Sequence, residues 1–278
     1  MQTGKPSRTA RGAAAHRAAY QLLEDGRIFT DPLALPILGE DAASIVREAE
    51  ERPYGRRLRL FIAARTRFAE DSLRAAIERG VRQVVVLGAG LDTYAYRAPG
   101  PDDLRIFEVD HPATQAWKRE RLALAAIGLP RSLTFAPVDF ERETLSQGLA
   151  AAGFDPGRQT FFTWLGVVPY LTEQAVWLTL GFIASLPKGA HVVFDYSDPP
   201  SSLAPETRTF HEGLATRVAE AGEALVTYFE AEKLHARLTA LGFSEVEDLG
   251  PQQIVSRYFP GAVSRGDKGG HILRATTI

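Results

Sequence analysis

Residues 81–87, VRQVVVL, run directly into Gly88-Ala89-Gly90, and this junction constrains the fold more than any other feature of the chain. A run rich in β-branched valine suits a strand buried on both faces, as in parallel sheets, and glycines at its carboxyl end permit a tight turn and close approach to the backbone. Further apolar runs at 104–109, 133–138, 159–165 and 191–195 alternate with helical segments after His111, Glu141, Thr172 and Pro205. That alternation predicts βαβ units in a doubly wound, mostly parallel α/β sheet. Runs at 243–249 and 271–276 supply two late strands expected to close one edge as an antiparallel pair, making seven in all, with a helix over 230–241 before them. The Gly, Ser and Arg cluster at 261–270 is expected to form a mobile loop.

Upstream, from residue 9 to about 79, the pattern is helical, rich in Ala and Arg, and broken where proline follows Asp31, Leu35 and Arg52. The expected organisation is therefore a helical N-terminal cap over 1–79 and an α/β domain over 80–278, with a lid insertion near 199–222. A chain of 278 residues with 45% hydrophobic side chains can bury a core of that size. Lys and Arg number 32 against 34 Asp and Glu, so no overall field attracts nucleic acid or an anionic membrane, and neither is an expected partner. The absence of cysteine excludes disulfides, thiolate metal sites and a cysteine nucleophile. With no apolar signal-like segment near residue 1 and no apolar stretch of membrane-spanning length, the expected location is cytoplasmic. Six histidines lack metalloenzyme spacing and no serine sits in a G-x-S-x-G elbow, so neither a metal site nor a serine hydrolase is expected.

Chemistry concentrates at strand ends. After Gly88-Ala89-Gly90, the third glycine of a dinucleotide fingerprint would fall at Thr93, which weighs against nicotinamide and flavin. The second strand ends Phe107-Glu108-Val109-Asp110-His111-Pro112, placing Asp110 where a carboxylate can accept both ribose hydroxyl protons and Glu108 on the same face in support; the alternative makes Asp110 the N-cap of the helix opening at Pro112. At the third end, Val138-Asp139-Phe140 offers a carboxylate for an adenine amino group and an amide at Phe140 for a ring nitrogen; alternatively Asp139 caps the next helix and Phe140 is core. Glycines, acid and acid at three successive strand ends follow the order in which a nucleoside would meet them.

The chain resembles the leucine carboxyl methyltransferase-like family of class I S-adenosylmethionine-dependent methyltransferases, including its bacterial O-methyltransferase branch linked to secondary metabolism. The likeness is carried by Thr9-Ala10, Ala14 with His16-Arg17-Ala18, Asp31-Pro32-Leu33-Ala34, Ala64-Arg65-Thr66-Arg67-Phe68, LGAGLDT, EVDHP, VDF, Trp164-Leu165-Gly166-Val167 to Thr172, and Leu241-Gly242-Phe243. It implies a Rossmann-like domain that binds S-adenosylmethionine through Gly88, Ala89 and Gly90, ribose at Asp110, and adenine at Asp139 and Phe140. It further implies that Arg65 holds the methionine carboxylate, a task suited to a planar guanidinium, although Arg65 shares its helix with solvated-looking Arg56, Arg57, Arg59 and Arg67. Arg17 is a second basic candidate. Many relatives carry a glutamate for the cofactor's amino group where this chain has Leu165, which accepts no hydrogen bond through its side chain. Tyr170 is the preferred substrate-pocket residue over Trp164 and Trp177, and no catalytic residue is assigned. The implied activity is methyl transfer to a carboxylate or hydroxyl oxygen of a small molecule, by a monomer or homodimer. A binding protein without turnover, a protein carboxyl methyltransferase and an oxidoreductase on the same sheet stand as alternatives.

Overall fold

The computed structural model describes residues 7–51, 55–97, 100–139, 143–264 and 266–277. In chain order the helices and strands are α1 (Arg8–Leu23), α2 (Ala34–Leu38), α3 (Ala42–Glu50), α4 (Gly55–Glu78), β1 (Gln83–Leu87), α5 (Tyr94–Arg97), β2 (Arg105–Asp110), α6 (Pro112–Leu124), β3 (Leu133–Pro137), α7 (Leu145–Ala151) and β4 (Thr160–Trp164). They continue as α8 (Glu173–Ala184), β5 (Ala190–Ser197), α9 (Pro205–Glu220), α10 (Ala231–Ala240), β6 (Glu245–Leu249), α11 (Pro251–Tyr258) and β7 (Gly270–Thr277). This is the expected α/β class with a mostly parallel, seven-stranded sheet.

Two compact units interleave along the chain, Met1–Arg67 with Gly88–Phe154, and Phe68–Leu87 with Asp155–Ile278. In the first unit α1 starts where the Ser7 hydroxyl accepts the Ala10 amide, and α3 where Asp41 accepts that of Ser44. Pro36 fits in the short α2 because it falls in the first turn, where no intrahelical N–H is lost, and Gly39 ends that helix at φ 63°. The alanine face of α1 (Ala14, Ala15, Ala18, Ala19) packs with Ile37, Leu38, Ile45, Leu91 and Leu122, small side chains that bring helix backbones close. Strands β2 and β3 run parallel, in register from Ile106 opposite Leu133 to Asp110 opposite Pro137.

In the second unit the strand order is β1-β4-β5-β7-β6. The first three are parallel, whereas β7 is antiparallel to both β5 and β6, the late closure read from the sequence. Phe161, Phe162, Trp164, Val192, Val193 and Phe194 fill the core. Helix α11 has no counterpart in the sequence reading, and α7 begins at Leu145, where Thr144 and Gln147 form a capping box, later than the helix expected after Glu141. The expected lid segment contains α9. Among the described residues no helix is long and apolar enough to cross a membrane.

Candidate functional site at the strand ends

In the first unit the backbone after Leu87 turns through Gly88 and Gly90 at φ 62° and 44°, left-handed values that favour glycine. Gly88 is exposed while Ala89 and Gly90 are buried, so backbone faces solvent at the turn's first residue. The turn is fastened to β2: the Ala89 amide donates to Val109 O at 3.0 Å, and the Gly90 amide to Asp110 Oδ2 at 2.6 Å. Asp110 Oδ1 accepts the His111 amide at 2.7 Å. Burial raises the Asp110 carboxyl above its ordinary range, and the two amides oppose that rise.

Helix α6 is capped by His111, whose Nδ1 accepts the Ala113 amide at 3.2 Å. The capping alternative for Asp110 therefore fails. Nor is Asp139 the cap of α7: its amide donates to Glu143 Oε1 at 3.2 Å, its carbonyl accepts the Glu143 amide at 2.9 Å, and Thr144 caps that helix. Asp139 is half-buried just beyond β3. Phe140 lies outside the described residues.

Glu108, on the face of β2 shared with Asp110, is fully buried, with Lys118 Nζ 2.7 Å away and the Tyr96 hydroxyl donating at 3.2 Å. Burial pushes its carboxyl up to about 6, and Lys118 limits the rise. Arg17, the second basic candidate, is already engaged: Nε meets Asp31 Oδ2 at 2.9 Å and Nη2 donates to Leu91 O at 2.6 Å. Burial alone would raise the Asp31 carboxyl, but Arg17 and Arg97 outweigh it and hold it below its usual range. Arg17 thus ties α1 and the Asp31-Pro32 segment to the glycine turn. Ala10 was missed as part of this region; a Cβ built on Gly90 would lie 2.9 Å from its own Cβ. Arg65 is buried on α4.

In the second unit Leu165 follows β4 half-buried, and the next amide, that of Gly166, donates to Asp195 Oδ1 at 2.5 Å. Tyr170, also half-buried, ends the 3₁₀ turn Val168–Tyr170. The other two aromatic candidates have structural neighbours. Trp164 is buried edge-on to Phe194, and the Trp177 indole donates to Glu173 at 2.8 Å beneath the Arg237 guanidinium.

A glycine turn followed by acids at the next two strand ends is found here at the carboxyl edge of an α/β sheet, the edge at which open sheets of this class take ligands. More specifically, the chain belongs to the leucine carboxyl methyltransferase family, whose model matches residues 10–184. It is 35% identical over 198 residues to Bacillus subtilis YktD, a candidate S-adenosyl-L-methionine-dependent methyltransferase by name, the match covering 70% of this chain and 65% of that protein. A similarly named Streptomyces coelicolor protein, SCO7813, is 39% identical over 192 residues, 63% of each chain. The match spans 65% of the Bacillus relative and 44% of a Parafrankia one, less than two thirds of either. Among solved structures, a candidate methyltransferase from Thermobifida fusca matches with TM-score 0.58 at 16% identity, covering 99% of this chain and 96% of that one. A DUF574 family protein from Streptomyces avermitilis matches at 0.53 and 17%, covering 98% of each. Both share the fold.

Proposed function

We propose that this chain is an S-adenosylmethionine-dependent O-methyltransferase acting on the carboxylate or hydroxyl of a small molecule in secondary metabolism. The observation that carries this reading is the half-buried Asp110 carboxylate, held by Gly90 and His111 so that each oxygen has accepted one amide. A carboxylate oxygen can accept two hydrogen bonds, so one site remains on each, matching the two hydroxyls of a ribose. Asp139 stands at the end of the adjacent strand for the adenine amino group, with Phe140 beside it in sequence. Exposed Gly88 presents backbone to the ligand, Ala89 and Gly90 are assigned to the same turn, and Arg65 is the residue assigned to the ligand's carboxylate. These residue types fit an adenosylated amino acid, and family membership supports the same fit.

The cofactor, when bound, supplies an electrophilic methyl group on a cationic sulfur. The protein's share is alignment and exclusion of water, since a sulfonium leaves readily. Leu165 offers only its backbone to a ligand; the carboxylate fixed beside that loop is Asp195, which we infer serves where relatives use glutamate. Tyr170 is assigned to the acceptor pocket. We further propose a cytoplasmic monomer or homodimer with no nucleic-acid or membrane partner.

Incubation with methyl-tritiated S-adenosylmethionine and a panel of phenols and carboxylic acids tests the reading. Label transferred to an organic product supports it, with base-labile label marking esters and base-stable label ethers. Transfer only to a nitrogen or carbon acceptor, or none together with no cofactor binding, contradicts it.

A further inference from the structure

From the second unit alone, and resting on the methyl-transfer reading, we infer that His211 is the general base for the acceptor and that the acceptor is an aromatic hydroxyl. His211 lies on α9, and its Nε2 is buried with no hydrogen-bond partner among the described residues. Such a group costs stability unless something supplies a partner, and the hydroxyl of a ligand is one such partner. Its ring is tilted 58° to that of Tyr228 with centroids 5.2 Å apart, and Tyr228 is only half-buried, so an aromatic wall adjoins the imidazole.

The location follows from backbone bonds on both sides of Tyr228. The Val226 amide donates to Pro169 O at 2.8 Å, in the 3₁₀ turn that carries Tyr170, and the Phe229 amide donates to Ser197 O at 3.1 Å, at the end of β5. His211 and Tyr228 therefore stand by the carboxyl ends of β4 and β5, the edge at which open α/β sheets take ligands. Burial lowers the imidazole pKa, with Glu212 opposing, so the ring is neutral near pH 7 and holds a lone pair for a proton. A carboxylate acceptor is already ionised and gains nothing from such a base, whereas a phenol does. In the step, His211 Nε2 takes the O–H proton, the oxygen uses the released electron pair on the methyl carbon, and the carbon–sulfur bond breaks with its pair left on sulfur.

The test is calorimetry of 2-naphthol and 2-naphthoate on the full chain saturated with S-adenosylhomocysteine, for the native protein, His211→Gln and His211→Phe, each also titrated with S-adenosylhomocysteine alone. The expected result is that 2-naphthol binds the native protein more tightly than 2-naphthoate and that His211→Phe weakens it at least tenfold. S-adenosylhomocysteine affinity should change less than twofold in either variant, and with 2-naphthol as acceptor His211→Gln should lower kcat by about 10²–10⁴-fold. Equal or tighter binding of 2-naphthoate, no binding of either naphthalene, or naphthol binding and turnover indifferent to both variants would overturn the inference while leaving cofactor binding intact. Failure of the native protein to bind S-adenosylhomocysteine would instead overturn the underlying methyltransferase reading, and this inference with it.

Discussion

Asp110 Oδ2 holds the amide of Gly90 at 2.6 Å, so the acid that ends β2 also sets the shape of the glycine turn beside it. Gly90 has a second constraint, since its φ of 44° and the 2.9 Å from a would-be Cβ to Ala10 both exclude a side chain. Gly90→Ala should cost about 1–3 kcal/mol in urea unfolding. Adding Ala10→Gly should recover the steric part and leave the backbone part. No recovery in the double variant would show that α1 does not press on the turn.

Arg17 and Asp31 form a buried pair whose guanidinium also serves the Leu91 carbonyl. Arg17→Met takes the closest counter-ion from the Asp31 carboxylate, leaving Arg97 at 3.5 Å, and should cost roughly 3–5 kcal/mol. Arg17→Met with Asp31→Leu should be less destabilised than Arg17→Met alone, because the carboxylate that lost its nearer partner is gone and only Arg97 gives up an ion pair, at 3.5 Å. Chemical denaturation of the three proteins measures this, and a single variant within 1 kcal/mol of native would contradict it.

The β5–β7–β6 edge is pinned by His271, with Nε2 2.9 Å from Asp198 and Nδ1 3.0 Å from Asp248. The Tyr196 ring stacks on it at 4.6 Å, while His235 meets Asp248 at 2.8 Å and Lys268 approaches Asp198 at 3.5 Å. Burial alone would lower the imidazole pKa, but the two carboxylates overcome it and raise it to about 9. A raised basic pKa stabilises the fold fully below the unfolded value, about 6.5, and that contribution fades as pH rises through about 9. Asp198 and Asp248 titrate below their ordinary range because His271 outweighs their burial, so their contribution is lost as pH falls below about 4. Melting temperature should therefore fall between pH 6.5 and 9 in the native protein, and less so in His271→Gln. Parallel pH profiles for the two would refute the assignment.

Lys118 is the counter-ion of fully buried Glu108, 2.7 Å away. Lys118→Met should destabilise by roughly 3–5 kcal/mol at pH 8, and by less at pH 5, where Glu108 can take up a proton and shed its charge. Unfolding free energies at the two pH values decide this, and an equal loss at both would contradict it.

Much of this was legible in the sequence for definite reasons. Residues 84–86 are three successive valines and glycines follow Leu87, so the first strand and its turn could be read locally, as could the acids at 110 and 139. The rival capping roles of those acids could not be dismissed from sequence, because Asp suits both tasks; His111 and Thr144 hold the caps instead. Arg17 was read as a ligand contact because its partners, Asp31 and Leu91, lie 14 and 74 residues away and nothing local announces them. His211 carries no spacing motif, and its solitude is visible only once α9 is folded. Helix α11 escaped because its eight residues, Pro251–Tyr258, are too few for periodicity to stand out, even though Pro251 at its start is a valid signal.

The most direct measurement is the affinity of S-adenosylhomocysteine for the native protein and for the variant Asp110→Ala with Asp139→Ala, by calorimetry on samples shown to be folded by circular dichroism. Loss of hydrogen bonds to charged acceptors at both strand ends should weaken binding by about 10²-fold or more. Unchanged affinity in the folded double variant would contradict the adenosine cradle, and the methyltransferase reading built on it.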